Sequence, residues 1–146
     1  LSAGRITQGI TEILGPSFIM PGGSMGPNGV SKYTVKWVSS STAGSKAVRL
    51  RANSSVNWWA AAMSNTFNSQ LVQATKSNLG TQARQIGNRV ATAHGWDCGP
   101  SATTYSADVT TVDTSVDVTM TVSAQIPANT DSIIMVPMQF IVQYGG

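Results

Sequence analysis

Apolar side chains recur at every second position along the last third of this chain, and this alternation limits its fold more than any other feature. The pattern runs over residues 116–126 and returns over residues 134–144, with mostly polar residues in between. Successive side chains of a strand point to opposite faces, so a period of two predicts two strands that each bury one face. The turn-forming stretch 127–131 between them predicts that the two strands pair antiparallel.

The final strand is also a candidate for contact with another chain. Pro137 has no N–H to donate, so it belongs at a sheet edge or at a β-bulge. An edge strand presents unpaired backbone groups to which a second chain can bind. We therefore predict an assembly surface on this strand, formed by Met138, Phe140, Val142 and Tyr144.

The middle of the chain predicts strands followed by helix. Alternation over residues 30–38 and 47–51, with a polar loop between them, predicts two strands. Further along, the apolar positions fall seven apart, which keeps one side of a helix apolar. These positions are Val72, Leu79, Ile86 and Ala93. Glycines inside this stretch disfavour a long continuous helix by ~1 kcal/mol each, so we expect one or two helical pieces within residues 64–93.

The first 14 residues have the pattern of a separate arm. Their apolar side chains follow the spacing of a helical face rather than that of a strand. These side chains are Ile6, Ile10, Ile13 and Leu14. The Gly- and Pro-rich stretch 21–29 consists largely of turn-forming residues and is long enough to let the arm leave its own domain. We expect the arm to pack its apolar face on a neighbouring subunit.

Together these patterns predict a mainly β fold in two parts. Residues 1–29 form the N-terminal arm with its Gly/Pro-rich loop, and residues 30–146 form a single β-rich domain. We expect that domain to be an antiparallel β-sandwich or jelly-roll-like, with the helical pieces inserted around residues 64–93. A chain of 146 residues is long enough to build one ordinary hydrophobic core.

Few side chains are charged, and this bears on the partners of the chain. Charged residues make up 10% of the sequence, against about 25% in typical soluble proteins. The nine basic residues are scattered, whereas nucleic-acid binders show a denser basic stripe with interleaved aromatic residues. Specific nucleic-acid binding is therefore not expected. A hydroxyl-rich surface of low charge suits contact with copies of the chain, homologous subunits, a host surface or a glycan.

Two further features bear on location, whereas the single cysteine leaves the redox compartment open. No apolar stretch approaches the ~20 residues that a membrane-spanning helix needs. The chain begins at Leu1 rather than Met, which is typical of a processed, exported protein. Cys98 is the only cysteine, so no internal disulfide can form. We expect an extracellular or cell-surface location, with the virion as the alternative.

Catalytic and metal-binding patterns are weak. His94, Asp97 and Cys98 place a base, a carboxylate and a thiol within five residues. Thiol catalysis usually draws these groups from separate parts of a chain, so a structural turn is the better interpretation and we expect no enzymatic activity. One Cys and one His fall short of the four ligands of a structural zinc site, and no phosphate-binding glycine motif occurs. We expect neither a metal nor a cofactor.

The adjacent pair Trp58 and Trp59 is the candidate ligand surface. An exposed indole offers large, rigid contact area to a sugar ring or to a partner protein. The alternative is that at least one of the two is buried in the core.

The C-terminal segment 138–144, Met-Gln-Phe-Ile-Val-Gln-Tyr, resembles the closing strand of bacterial chaperone–usher fimbrial subunits. That strand alternates apolar residues and ends near an aromatic residue. The resemblance implies an incomplete immunoglobulin-like sandwich that is completed by strand addition, the strand being the N-terminal extension of the next subunit. The chain departs from the family in its single cysteine, where many members have a pair, and in the helical spacing of its first residues.

We therefore expect a non-enzymatic structural subunit of the pilus or fimbrial kind, which acts through packing between subunits. Two other functions stay open at this point. One is a capsid, tail or fibre protein of a virus or phage, and the other is a lectin-like module that uses Trp58 and Trp59.

Overall fold

The structure is a computed structural model, and it describes residues 4–7, 9–39, 46–63, 69–93, 108–126 and 132–146. Over these residues the chain forms ten strands and no helix, and every strand pairing is antiparallel. The mainly β, antiparallel fold is therefore confirmed. In chain order the strands are β1 (Gly4–Thr7), β2 (Gly9–Met20), β3 (Val30–Ser39), β4 (Lys46–Ala52), β5 (Val56–Met63), β6 (Ser69–Asn78), β7 (Gln85–Ala93), β8 (Asp108–Thr110), β9 (Val118–Ile126) and β10 (Ser132–Gln143).

The strands form two sheets that share one cluster of buried side chains. The larger sheet has the order β1-β10-β3-β6-β7-β8, and the smaller has the order β2-β9-β4-β5. β3 of the larger sheet and β4 of the smaller one alternate buried with exposed or half-buried positions, whereas β9 is buried at most of its positions. The buried cluster takes Tyr33, Val35 and Trp37 from the larger sheet and Val48, Leu50, Trp58, Val118, Met120 and Val122 from the smaller one. Both sheets thus contribute side chains to one buried core.

The prediction of helical pieces around residues 64–93 is wrong for the part that the structure describes, residues 69–93. Residues 69–93 form the β6–β7 hairpin, in which Gly80 adopts a positive φ of 66° and the Leu79 N–H donates to the Arg84 carbonyl at 3.1 Å. The strand period is hard to see in the sequence because three buried positions of the hairpin are polar. These are Lys76, Asn78 and Gln85. With polar residues facing inward, the remaining apolar residues happened to fall at helical spacing.

The helical face expected over residues 1–14 is also wrong, because the described part of this segment forms β1 and the first half of β2. The register of β2 against β9 shifts twice, between Gly9 and Ile13 and between Leu14 and Ser17. A bulge inserts extra residues into one strand and so interrupts the two-residue period. The irregular spacing of the apolar residues follows from these bulges.

The prediction that the two C-terminal strands pair with each other is wrong, because they lie in different sheets. β9 lies between β2 and β4 in the smaller sheet, and β10 lies between β1 and β3 in the larger one. Alternation identifies which face of a strand is buried, but it carries no information on which strand lies alongside. Pro137 falls where the register of β10 against β3 shifts, between Val136 and Gln139, so the expected edge or bulge position of this proline is confirmed.

A buried polar network joins the β6–β7 hairpin to the segment after β8. The Gln85 side-chain N–H donates to Asn78 Oδ1 at 3.0 Å and to the Val112 carbonyl at 2.9 Å. Its Oε1 accepts hydrogen bonds from the Thr110 hydroxyl at 3.2 Å and from the Val112 N–H at 3.1 Å. Asn78 in turn donates to the Thr114 hydroxyl at 3.0 Å. Buried polar groups are stable only when bonded in this way.

The stretch that follows β10 packs on the loop 21–29. The Gly145 N–H donates to the Met25 carbonyl at 2.9 Å, and the Asn28 N–H donates to the Gly145 carbonyl at 3.0 Å. Gly26 has a positive φ of 66°, and a Cβ at this position would lie 2.5 Å from the Gly145 carbonyl oxygen. The packing therefore requires a residue without a side chain at position 26.

Candidate assembly site

β10 is paired on both sides over only part of its length. Residues Ser132 to Met135 pair with β1 on one side and, from Ile133, with β3 on the other. Residues Gln139 to Gln143 pair with β3 alone, and within the described residues no strand lies along their other side. A sheet edge of five residues is therefore left unpaired next to the N-terminal strand.

The unpaired stretch of β10 meets β2 at an aromatic contact, and we call this place the seam between the two sheets. Phe18 of β2 meets Phe140 of β10 with ring centroids 5.0 Å apart and planes inclined by 57°. Ile13 of β2 and Val142 of β10 lie on the same two strands, and all four side chains pack against the core while remaining only partly buried. We call these four residues the seam residues. Their apolar side chains are turned inward but are not fully covered.

Local irregularities of both strands place the seam residues. In β2, the register shift between Leu14 and Ser17 spans Gly15-Pro16, after which Phe18 lies opposite Met120 on the core side. In β10, the shift at Pro137 precedes the pairing of Phe140 with Tyr33, which is buried. Cross-strand partners share a face of the sheet, so these pairings direct both phenylalanines toward the core.

An ion-pair cluster holds β2 against the rest of the smaller sheet. Glu12 of β2 accepts a hydrogen bond from Arg51 Nε at 2.9 Å and a second one from the other arm of the same guanidinium. It also accepts one from the Ser123 hydroxyl of β9, and Arg49 Nη1 lies 3.5 Å from its Oε1. These contacts connect β2, β9 and β4 across one sheet face. They fix the strand that forms one wall of the seam.

The same contacts set the charge state of Glu12. Hydrogen bonding from Arg51 is the main cause that lowers the pKa of Glu12 from 4.5 to about 2. Partial burial opposes this shift, whereas the Ser123 hydroxyl and the positive charge of Arg49 add to it. The carboxylate side chain is 22% exposed, so water screens the cluster only in part. Glu12 is ionised at any pH near neutrality.

Three of the predicted assembly residues pack against the core and stay partly buried, and others do not. Ile13, Phe140 and Val142 are seam residues, although they were predicted on two unrelated segments. Leu14 is exposed and is paired with Ser123, on the face opposite the core. Tyr144 follows β10 and is 72% exposed.

The other predicted assembly residues are placed by their strands alone. Ile6 lies in β1 opposite Ile133, Ile10 lies in β2, and Met138 lies in β10 at the register shift.

Trp58 and Trp59 are both buried, with 1% and 4% of their surfaces exposed. Adjacent residues of a regular strand point to opposite faces, but the register of β5 against β4 shifts here and leaves Trp58 without a partner position of its own. The bulge lets both indoles turn inward. Trp58 Nε1 donates to the Ser31 hydroxyl at 3.3 Å, and Trp59 lies against Tyr33 with ring centroids 5.8 Å apart. Neither ring offers a face to a ligand in this structure.

Sequence reasoning missed Phe18 and Glu12. Phe18 stands in β2 next to Ile19, which is 61% exposed, so the sequence alone does not show which of the two faces inward. Glu12 is the only glutamate of the chain, and its partners Arg49 and Arg51 lie far away in sequence. The spacing of two between these arginines on a strand places both on one face, and that was the one available signal of a cluster.

His94, Asp97 and Cys98 lie outside the described residues. Among the residues that the structure does describe, no group of three or more His, Cys, Asp or Glu side chains is placed to hold a metal ion. No helix in that part of the chain is long and apolar enough to cross a membrane. Comparison of the chain with protein-family models, with curated proteins and with solved structures finds no match.

Proposed function

We propose that this chain is a non-enzymatic structural subunit that assembles with copies of itself by adding a strand at the unpaired edge of β10. The observation that carries the proposal is the incomplete pairing of β10, which among the described residues has two neighbours at its start and one at its end. Unpaired N–H and C=O groups along an edge are a template for a strand from another chain.

The seam residues support the same site. A strand that paired with Gln139 to Gln143 would lie beside them in the sheet. Its inward side chains would then cover Phe140 and Val142, which the chain itself covers only in part. Burying the remainder of such side chains is favourable by roughly 25 cal/mol per Å² of apolar area. Backbone pairing and apolar burial would thus coincide at one place, which favours a specific contact over chance edge pairing.

In this proposal the two sheets form a β-sandwich whose seam is closed by the neighbouring subunit. A fimbrial or pilus-like filament and a virion-type shell both use such contacts, and the resemblance of segment 138–144 to fimbrial closing strands favours the first. An extracellular or cell-surface location accompanies this function. The lectin-like alternative loses its support, because the indoles of Trp58 and Trp59 are buried.

A substitution at the unpaired edge tests the proposal. Ile141 lies within the unpaired stretch and is 39% exposed. A lysine on an edge strand disfavours the addition of another strand, so Ile141→Lys should remain monomeric where the unmodified chain assembles. Leu71→Lys is the matched control, because Leu71 is similarly exposed on β6, away from that edge. This control should assemble normally.

Light scattering over a wide range of protein concentration, with electron microscopy of the products, measures the outcome. Thermal unfolding of each variant shows that its domain is folded. A wild-type chain that stays monomeric at every concentration would overturn the proposal. So would an Ile141→Lys variant that assembles as well as the wild type does.

A further inference from the structure

The outward face of the larger sheet carries positive charge, and the carboxylates that the structure describes belong to other parts of the fold. Lys32 and Lys36 of β3 are exposed on this face, four residues apart on one strand. At about 3.4 Å per residue their Cα atoms are separated by about 14 Å. Strand β3 lies in the interior of the sheet, between β10 and β6. The two ammonium groups therefore project from the middle of a sheet face rather than from a loop or an edge.

Between the two lysines runs a row of uncharged polar side chains. Thr34 is paired with Gln139 of β10 on one side and with Gln73 of β6 on the other. Cross-strand partners share a face, so the three side chains form a line across the strands. Both glutamines are exposed. Amide and hydroxyl groups can donate and accept hydrogen bonds, which suits a partner that is itself rich in hydroxyl groups.

The carboxylates that the structure describes lie away from this face. Glu12 belongs to the smaller sheet, where Arg51 binds it. Asp113 and Asp117 follow β8, and Asp108 begins β8, three strands away from β3. The lysines thus face solvent without a neutralising partner among these acids. A surface of one sign attracts a ligand of the opposite sign.

We propose that this face, defined by Lys32, Lys36, Thr34, Gln73 and Gln139, binds a polyanionic polysaccharide with sulfate or carboxylate groups. The lysines would pair with the anionic groups, and the polar row would contact the sugar hydroxyls. The face carries no aromatic side chain among its described residues, since Tyr33, Trp37 and Phe140 turn inward. Single-stranded nucleic acids depend on stacking against aromatic side chains, so a sulfated or acidic glycan fits this face better.

This inference does not rest on the proposed assembly. Strand addition at the edge of β10 would extend the sheet sideways and leave its outward face uncovered. Binding can therefore be measured on the monomeric and on the assembled chain. Failure of either proposal would leave the other unchanged.

Binding to immobilised dextran sulfate at low ionic strength tests the inference. The chain should bind dextran sulfate and not uncharged dextran, and added salt should weaken binding by screening. Lys32→Gln and Lys36→Gln should each weaken binding about 2–5-fold, and the double variant about 4–25-fold if the two effects multiply. Arg84→Gln is the control, because Arg84 is an exposed cation in the loop between β6 and β7 and its loss changes the net charge equally.

Protection of lysines from acetylation gives a second, independent readout. Dextran sulfate should slow the acetylation of Lys32 and Lys36 in the unmodified chain. Absence of this protection would overturn the inference, as would equal losses of binding in Arg84→Gln and the lysine variants. Tighter binding to single-stranded DNA or to vesicles containing phosphatidylserine than to dextran sulfate, at the same salt concentration, would also overturn it and identify a different class of partner.

Discussion

Phe18 and Phe140 are 122 positions apart in the sequence, yet their rings lie in contact at a centroid distance of 5.0 Å. The contact joins β2 of the smaller sheet to β10 of the larger one and is the most direct link across the seam. The contribution of this contact to the free energy of unfolding decides whether the seam is a stable part of the monomer or depends on a neighbouring subunit.

Replacement of Phe140 by Ala should destabilise the monomer. Phe140 is only partly buried, so we expect about 2 kcal/mol, below the ~3–5 kcal/mol for a fully buried Phe. A double-mutant cycle with Phe18→Ala should give a coupling energy of about 0.5–1.5 kcal/mol, as for tilted aromatic pairs. Urea unfolding measures both values. Ile19→Ala, at an exposed position of the same strand, should change stability by no more than about 0.5 kcal/mol.

Acid should weaken the domain through Glu12. Because its pKa falls from 4.5 to about 2 on folding, the ionised carboxylate contributes stability that is fully present above the higher pKa. This contribution is lost as the pH falls from the higher value toward the lower. We expect its size to be on the order of 2 kcal/mol after solvent screening.

Urea unfolding of the wild type and of Glu12→Gln between pH 6 and pH 2 checks this prediction at about one-unit intervals. Both proteins lose stability as their other carboxylates become protonated. The informative quantity is therefore the difference between their free energies of unfolding at each pH. The difference should shrink on acidification. Two parallel curves would show that Glu12 is not coupled to folding.

Gln85 should be the most sensitive position of the buried polar network. Gln85→Leu would leave Asn78 Oδ1, the Thr110 hydroxyl and the backbone groups of Val112 without their partner, and each unsatisfied buried group costs about 1–3 kcal/mol. We expect a loss of about 3 kcal/mol or more, measured as the midpoint of urea unfolding. Gln73→Leu makes the same exchange at an exposed position and should shift stability by less than about 0.5 kcal/mol.

Substitutions at two glycines of the loop 21–29 distinguish the cost of backbone strain from the cost of a steric clash. Gly23 and Gly26 both have positive φ, but a Cβ at Gly23 would meet nothing within 4 Å, whereas one at Gly26 would clash with Gly145. Gly23→Ala should therefore cost about 1–2 kcal/mol from strain alone. Gly26→Ala should cost a further 1–3 kcal/mol, roughly, because the backbone of Gly145 must move. Equal melting temperatures of the two variants would contradict this packing.

Alternation in the sequence was sufficient to predict the strands and their inward faces where polar residues stay outside. It worked for β9 and for the end of β10, where it placed Phe140 and Val142 on one side of the strand. Before the register shift at Pro137 it was wrong, because Ile133 is buried there and Ile134 is exposed. It failed for the β6–β7 hairpin, because Lys76 and Gln85 are buried and their polarity hides the period. A buried polar side chain depends on partners elsewhere in the fold, and a local pattern does not contain them.

The candidate site was predicted in fragments for a related reason. Ile13 and Val142 were each recognised as apolar residues in need of cover, but the strands that pair with theirs and leave them partly buried are far away in sequence. Bulges also matter, since a single register shift at Trp58 turns two adjacent indoles to the same side. Sequence period alone predicts neither the shift nor the pairing partner.

The order of the strands in the smaller sheet has a consequence for synthesis of the chain. A ribosome delivers β2 early, but in the described sheets β2 pairs only with β9, which begins at Val118. The β4–β5 and β6–β7 hairpins can close as soon as they emerge, whereas β2 must wait for most of the remaining chain. Apolar strands that stay unpaired for so long are prone to aggregate. The segment Gly9–Met20 should therefore be exposed to aggregation until residues 118–126 have been made.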